Sequence, residues 1–399
     1  MGLGPLPDGW RWVRLGDVCR LVNGDAYKES DWTLHGIPII RIQNLNDPNK
    51  PFNHWAGDLD GRVVIHSGDV LLAWSGTPGT SFGAHLWNRG RGVLNQHIFR
   101  IDLDRSCINP QWAVFAINNR LDVMIGKAHG GVGLRHVTKS EVESLTIPLP
   151  PLSEQQRIAA ILNEQMAAVE KARAAAEAQL KAAKALPAAY LCAVFNNPEA
   201  RRWPRQRFGD VCELLPAKSI ATDGDTSVLA ITTACLSETG FQPSGIKPAR
   251  MWASDAAECG VSPGEVLIAR SNTPELVGRV AMFSGDPKGA VASDLTIRIR
   301  PRDDLEPPFL TAYLSFLYLS GYWKDRAGGA SGSMKKITRT QILNEKVPVP
   351  PLSEQKRISN HLSKRMASAD RTRKALEEQL DTINKLPASL LRRAFSGEI

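Results

Sequence analysis

One segment that occurs twice at a fixed distance limits the possible folds of this chain more than any single motif. Ile147-Pro-Leu-Pro-Pro-Leu-Ser-Glu-Gln-Gln-Arg-Ile158 returns as Val347-Pro-Val-Pro-Pro-Leu-Ser-Glu-Gln-Lys-Arg-Ile358. The offset is 200 (348 − 148), and it holds without insertion or deletion as far as Leu186-Pro187-Ala188 and Leu386-Pro387-Ala388. A constant offset over such a stretch marks an internal duplication, so the fold is expected to contain two like halves.

Each copy opens a predicted helix. Pro150-Pro151 and Pro350-Pro351 hold the incoming chain extended. Ser153 and Ser353 fit N-caps, Glu154 and Glu354 suit the positive end of the helix dipole, and Gln156 completes a capping box in the first copy only. Leu162, Met166, Val169, Arg173, Ala176, Leu180 and Ala183 then follow at steps of four and three. Their counterparts are Leu362, Met366, Ala369, Arg373, Leu376, Leu380 and Ile383. This is a heptad seam, and the small Ala176 and Ala183 against the large Leu376 and Ile383 suggest two helices packed large against small. Packing of each helix on its own neighbouring domain is the other reading. Glu154 to Leu186 spans about 50 Å at helical rise. Pro187 and Pro387 are expected to end or kink the helices, each starting a short one that runs to Phe195 or Phe395.

The repeat continues outside the helices with a drifting offset. Trp10 to Cys19 matches Trp203 to Cys212, Gly68 matches Gly264, Phe99-Arg-Ile101 matches Ile297-Arg-Ile299, and Thr138 matches Thr338. Residues 1–150 and 198–347 are therefore two domains that have diverged, followed by helices over 151–197 and 348–399 that have not. Each domain reads as mixed α and β. Strands are predicted at Ile37–Ile42, Val70–Trp74 and His97–Ile101, and at Ser227–Ile231, Val266–Arg270 and Leu295–Ile299. Helical spacing covers Pro110–Gly126 and Pro308–Asp325, each followed by a glycine-rich loop, 130–136 and 328–336.

Several kinds of catalysis find no support. There is no GxxxxGK[ST] phosphate loop and no HExxH, and none of the six cysteines forms a CxxC pair. Glu306-Pro-Pro-Phe309 has the outline of an amino-methyltransferase motif, but Glu is too long for the amide or short carboxylate that holds the target amine. The scattered cysteines suggest a reducing cytosol, and neither a signal peptide nor a membrane-spanning helix is expected. What remains is recognition chemistry on a chain of net charge +8. Arg41, Gln43 and Asn44 leave a strand and enter a turn, and their side-chain types make paired hydrogen bonds to guanine and adenine edges. Arg270, Asn272, Thr273 and Arg279 form a similar polar turn in the second half, matching Ser75 and Thr77 in the first. Gln96 and His97 add donors and acceptors at a strand start, while Arg135, Lys335 and Lys336 sit in the loops as phosphate clamps would. Taken singly, each fits a solvated surface; their equivalent placement in two domains favours a polyanion.

Together these residues resemble the specificity subunit of Type I restriction–modification enzymes. The helix openings at 150–155 and 350–355, the Gly-Asp-Val segments at Gly16 and Gly209, and the ending Phe395-Ser-Gly-Glu-Ile399 carry the resemblance over nearly the whole chain. It implies an α+β fold of two target-recognition domains, 1–150 and 198–347, joined by two long antiparallel coiled-coil helices. It further implies no catalysis in this chain, with each domain reading one half of a split, asymmetric DNA site. The helix seams at Leu162, Met166, Val169, Leu180, Leu362, Met366, Leu376, Leu380 and Ile383 would fix the spacing and dock two modification subunits. S-adenosylmethionine, ATP and Mg²⁺ would belong to those and to restriction subunits, in the cytoplasm. A DNA-binding component with its own nuclease activity and a protein-only scaffold are the competing expectations. Metal-dependent cleavage by the isolated chain, or absence of a salt-dependent DNA shift, would favour them respectively.

Overall fold

The computed structural model describes residues 5–76, 81–126, 135–220, 224–329 and 334–399. Two compact units emerge, Met1–Ala174 with Asp381–Ile399, and Ala175–Leu380.

In the first unit, a four-stranded antiparallel sheet runs in the order Cys19–Asn23, Ile98–Leu103, Val70–Ala73, Gly83–Leu86. A second sheet has the order Asn53–Trp55, Ile37–Ile40, Gly92–Leu94, Val64–Ile65, with Ile37–Ile40 parallel to Gly92–Leu94. Val70-Leu-Leu-Ala73 is apolar throughout because both of its faces are covered. Val70 and Leu72 join the core that includes Trp112, Ile158 and Leu162, while Leu71 joins Ile40, Ile65 and Leu94 on the other side. The helix Pro110–Asn119 supplies Trp112, fully buried, whose indole N–H donates to the Pro148 carbonyl. The Trp112 ring meets Phe395 at 4.9 Å, so the end of the second long helix closes this core.

The second unit repeats the plan. Its antiparallel sheet is Cys212–Leu215, Thr296–Pro301, Val266–Ala269, Val280–Met282. A three-stranded sheet follows, Lys247–Met251, Thr226–Ile231, Ala290–Ala292, the last pair parallel. Again Val266 and Ile268 face one core and Leu267 and Ala269 another. Within this unit Lys184 pairs with Glu377 at 3.6 Å, Arg365 lies over the Tyr190 ring, and Leu191 shares a core with Leu362 and Ile358. The partner numbers fall as the first helix advances, so the two helical stretches run antiparallel.

The long helices are Leu152–Phe195 and Leu352–Phe395, 44 residues each. Both pass through their prolines without ending, so of the expected end or kink the end does not occur. A helical proline costs about 3 kcal/mol, but Leu191 and Phe195 in the first helix and Ala394 in the second are buried beyond it, and this packing carries the helix on. The helix starts also differ from expectation. The Pro151 carbonyl, not the Ser153 hydroxyl, receives the first N–H groups, from Glu154 at 2.9 Å and Gln155 at 3.0 Å, and Gln156 forms no capping box. The repeated Gln has a different task. Gln155, fully buried, accepts from Asn109 N and donates to the Cys107 and Pro150 carbonyls. Gln355 does the same with Glu306 N, Asp304 O and Pro350 O. Each glutamine thus locks a long helix to the start of its domain's shorter helix.

Of the seam residues, Leu162, Val169, Leu362 and Ile383 are buried; Met166, Leu180, Met366, Leu376 and Leu380 are half-buried. In the second unit Ala183 and Ala369 line one cavity of about 640 Å³. Arg373 sits at this seam because Asp370 at 2.7 Å and Glu377 at 2.6 Å hold its guanidinium on its own helix.

Candidate nucleic-acid interface

In each unit strands of both sheets end at one rim, and backbone hydrogen bonds join the chain segments there. In the first unit Asn95 N donates to Ile40 O, Trp74 N to His97 O and Val137 N to Trp74 O. A two-residue ribbon, Ser75–Gly76 paired antiparallel with Arg135–His136, stands beside them. The segments carrying Arg41 and Gln43, Gln96 and His97, and the ribbon are thereby brought together. The second unit repeats this frame. Arg270 N donates to Leu295 O, Ile337 N to Arg270 O, and Ser271–Asn272 pairs with Lys335–Lys336 as the ribbon. Asn272 and Lys335, distant in sequence, are direct cross-strand partners.

The polar side chains at this rim are unequal in role. Gln43, Gln96, His97 and Lys336 are exposed; Arg41, Asn272 and Lys335 are half-buried. The Arg41 guanidinium lies 5.0 Å over the Trp32 ring, which holds it without neutralising its charge. The Gln96 amide nitrogen is 3.3 Å from His97 Nε2, and the His97 ring tilts against Trp74 at 5.8 Å, an ordered donor–acceptor pair. Asn272 Oδ1 accepts from Thr273 N, and the Thr273 carbonyl in turn receives Leu276 and Val277 N–H groups, so Thr273 shapes the turn. Arg270 donates to the Asp294 carbonyl and is half-buried.

Three expected contacts need correction. Asn44 is fully buried, accepting from Arg41 N and donating to the Lys50 and Pro51 carbonyls, because 42–46 is a short helix whose following loop needs that anchor. Ser75 is only 8% exposed, so its backbone, not its hydroxyl, belongs to the rim. Arg279 is turned away, held by Tyr318 Oη and the Leu236 carbonyl in the cavity lined by Ala183 and Arg373. Thr77 lies outside the described residues, as does the side chain of Arg135.

Sequence reasoning missed Asp25, Lys218, Asp294 and Leu295. Asp25 bridges to Asn95 and Lys218 to Ser293, in parallel, at corresponding places. Hydrogen bonds donated to Asp255 and Glu258 hold the Lys218 ammonium well above the ordinary lysine range, and Asp25 is paired with Arg62 at 3.0 Å. The two rims therefore share a backbone and differ in side-chain charge. The match lies on offsets the repeat already carries, 193 for Asp25 and Lys218 as for Cys19 and Cys212, and 198 for Asn95 and Ser293 as for Phe99 and Ile297; the sequence does not show that these segments meet. Among the described residues, no three of His, Cys, Asp and Glu are grouped to hold a metal ion.

Comparison with known proteins agrees with this repeated plan. The chain is 23% identical to the EcoBI specificity subunit of Escherichia coli, over 100% of this chain and 88% of that one. It is 22% identical to the EcoKI specificity subunit of Escherichia coli K12, over 100% and 91%. The fold is similar to that of a chain solved in work on complex assembly and conformational transition of the type I R-M system (TM-score 0.76, 24% identity, all of both chains). It is also similar to the HsdS subunit from Thermoanaerobacter tengcongensis (TM-score 0.60, 24% identity, 100% of this chain and 99% of that one). The family model for the Type I restriction modification DNA specificity domain matches twice, over residues 7–178 and 203–382, one match for each ribbon-bearing rim, and the chain belongs to that family.

Proposed function

We infer that this non-catalytic recognition subunit gives a Type I restriction–modification complex its DNA sequence specificity, each rim reading one half of a bipartite, asymmetric site. The observation that carries the reading is the same ribbon-and-turn frame built twice with different side chains, Gln96-His97 in one and Asp294-Leu295 in the other. A shared backbone gives a shared way of docking on a duplex, and different edge groups give different half-sites. The partners are double-stranded DNA and the modification and restriction subunits; two modification subunits docking on the long helices suit a chain with two like halves. S-adenosylmethionine, ATP and Mg²⁺ belong to those partners in this reading, and the setting is cytoplasmic. Among the described residues no helix is long and apolar enough to cross a membrane.

The test is methylation mapping of DNA from cells that express this chain with its modification subunit. A split motif with a fixed gap is expected. Arg41→Ala or Gln43→Ala should relax one half only, at about 1–3 kcal/mol per lost base contact. Lys336→Ala should weaken binding to all duplexes and flatten its salt dependence. Methylation without sequence preference, or DNA cleavage by the purified chain with Mg²⁺ alone, would overturn the reading.

A further inference from the structure

We propose that Leu295 reads the 5-methyl group of a thymine in the half-site taken by the second unit, an inference that rests on the DNA-reading role given above to the rims. Leu295 occupies the place of His97. The Trp74 amide donates to the His97 carbonyl at 3.3 Å, and the corresponding Arg270 amide donates to the Leu295 carbonyl at 2.8 Å. Both residues follow a strand in parallel pairing, Leu94 with Ile40 in one unit and Ala292 with Ile231 in the other. Where the first unit presents an imidazole and an amide, the second presents a branched hydrocarbon, 44% exposed, beside the ribbon of Ser271–Asn272 and Lys335–Lys336.

The turn beneath it is stiff. Thr296, 1% exposed, donates both its amide, at 3.0 Å, and its hydroxyl, at 2.8 Å, to the Ser293 carbonyl. The preceding Asp294 is acidic and repels phosphate, so this turn approaches base edges and leaves the backbone to Lys335 and Lys336. Among the four bases only thymine shows a methyl group in the major groove, and an apolar side chain is its complement.

The experiment uses the full chain in complex with its modification subunit. Selection from a random duplex library first defines both half-sites. Each thymine is then replaced singly by deoxyuridine, which lacks only the methyl group, and binding is measured for wild type, Leu295→Ala and Leu295→Met. At one thymine of one half-site, wild type and Leu295→Met should lose about fourfold in affinity on removal of the methyl, the worth of one buried methyl. Leu295→Ala should bind the two duplexes equally. Leu295→Ala discriminating like wild type at every thymine, or no thymine at which the methyl matters, overturns the assignment. A wild-type complex with no sequence preference defeats the reading of the rims themselves, an outcome distinct from either.

Discussion

Asn44 and Gln43 are adjacent, both amide-bearing and both plausible base readers from sequence, yet only one faces solvent. Asn44 is fully buried with its amide shared among three backbone partners, whereas Gln43 is exposed. Asn44→Ala should therefore destabilise the first unit by about 1–3 kcal/mol, since backbone groups lose their partners. Gln43→Ala should leave stability within about 0.5 kcal/mol while altering one half-site, and urea melts beside binding assays separate the two. A second residue-scale case is Arg298. It is paired at 3.0 Å with Glu265, each 2% exposed, and also donates to the carbonyls of Pro216, Glu258 and Gly260. Arg298→Met removes one partner of a buried ion pair and should cost about 3–5 kcal/mol. The double variant Arg298→Met with Glu265→Leu should recover part of that loss in the same melt.

At the scale of elements, the long helices persist because of what lies at their ends. Gln155 and Gln355 fasten each first turn, and apolar residues beyond Pro187 and Pro387 are buried. Gln355→Ala should leave the Glu306 N–H and the Asp304 and Pro350 carbonyls without their partner, at about 1–3 kcal/mol for each group that water cannot reach. Protection against hydrogen exchange at the start of Leu352–Phe395 should fall with it. Retained protection in Gln355→Ala would mean that Pro350-Pro351 alone fixes the helix start.

For the whole molecule, the prediction concerns length. Each helix of 44 residues extends about 66 Å at helical rise. Four residues inserted after Val169 add about 6 Å and roughly one turn, so the seam keeps its phase. The gap between the half-sites should lengthen by about two base pairs at about 3.4 Å each, with neither half-site changed. A matching insertion after Ala369 keeps the paired helices in step. Methylation mapping that returns the original gap at full activity would show that helix length does not set the spacing.

The sequence by itself determined the duplication, the two long helices, and some inner strands of the sheets, including Val70–Ala73 and Val266–Ala269. These follow from repetition and from the periodicity of neighbouring residues, which depend only on short-range geometry. It also placed Gln43, Gln96, His97 and Lys336 among polar surface residues. Tertiary structure alone decided that Asn44 is buried, that Arg279 turns into a cavity, and that both helices run on through proline. It alone paired Asn272 with Lys335 and brought Leu295 beside that ribbon. In each case packing against distant residues decided the outcome, and at the two prolines it outweighed a local preference of about 3 kcal/mol.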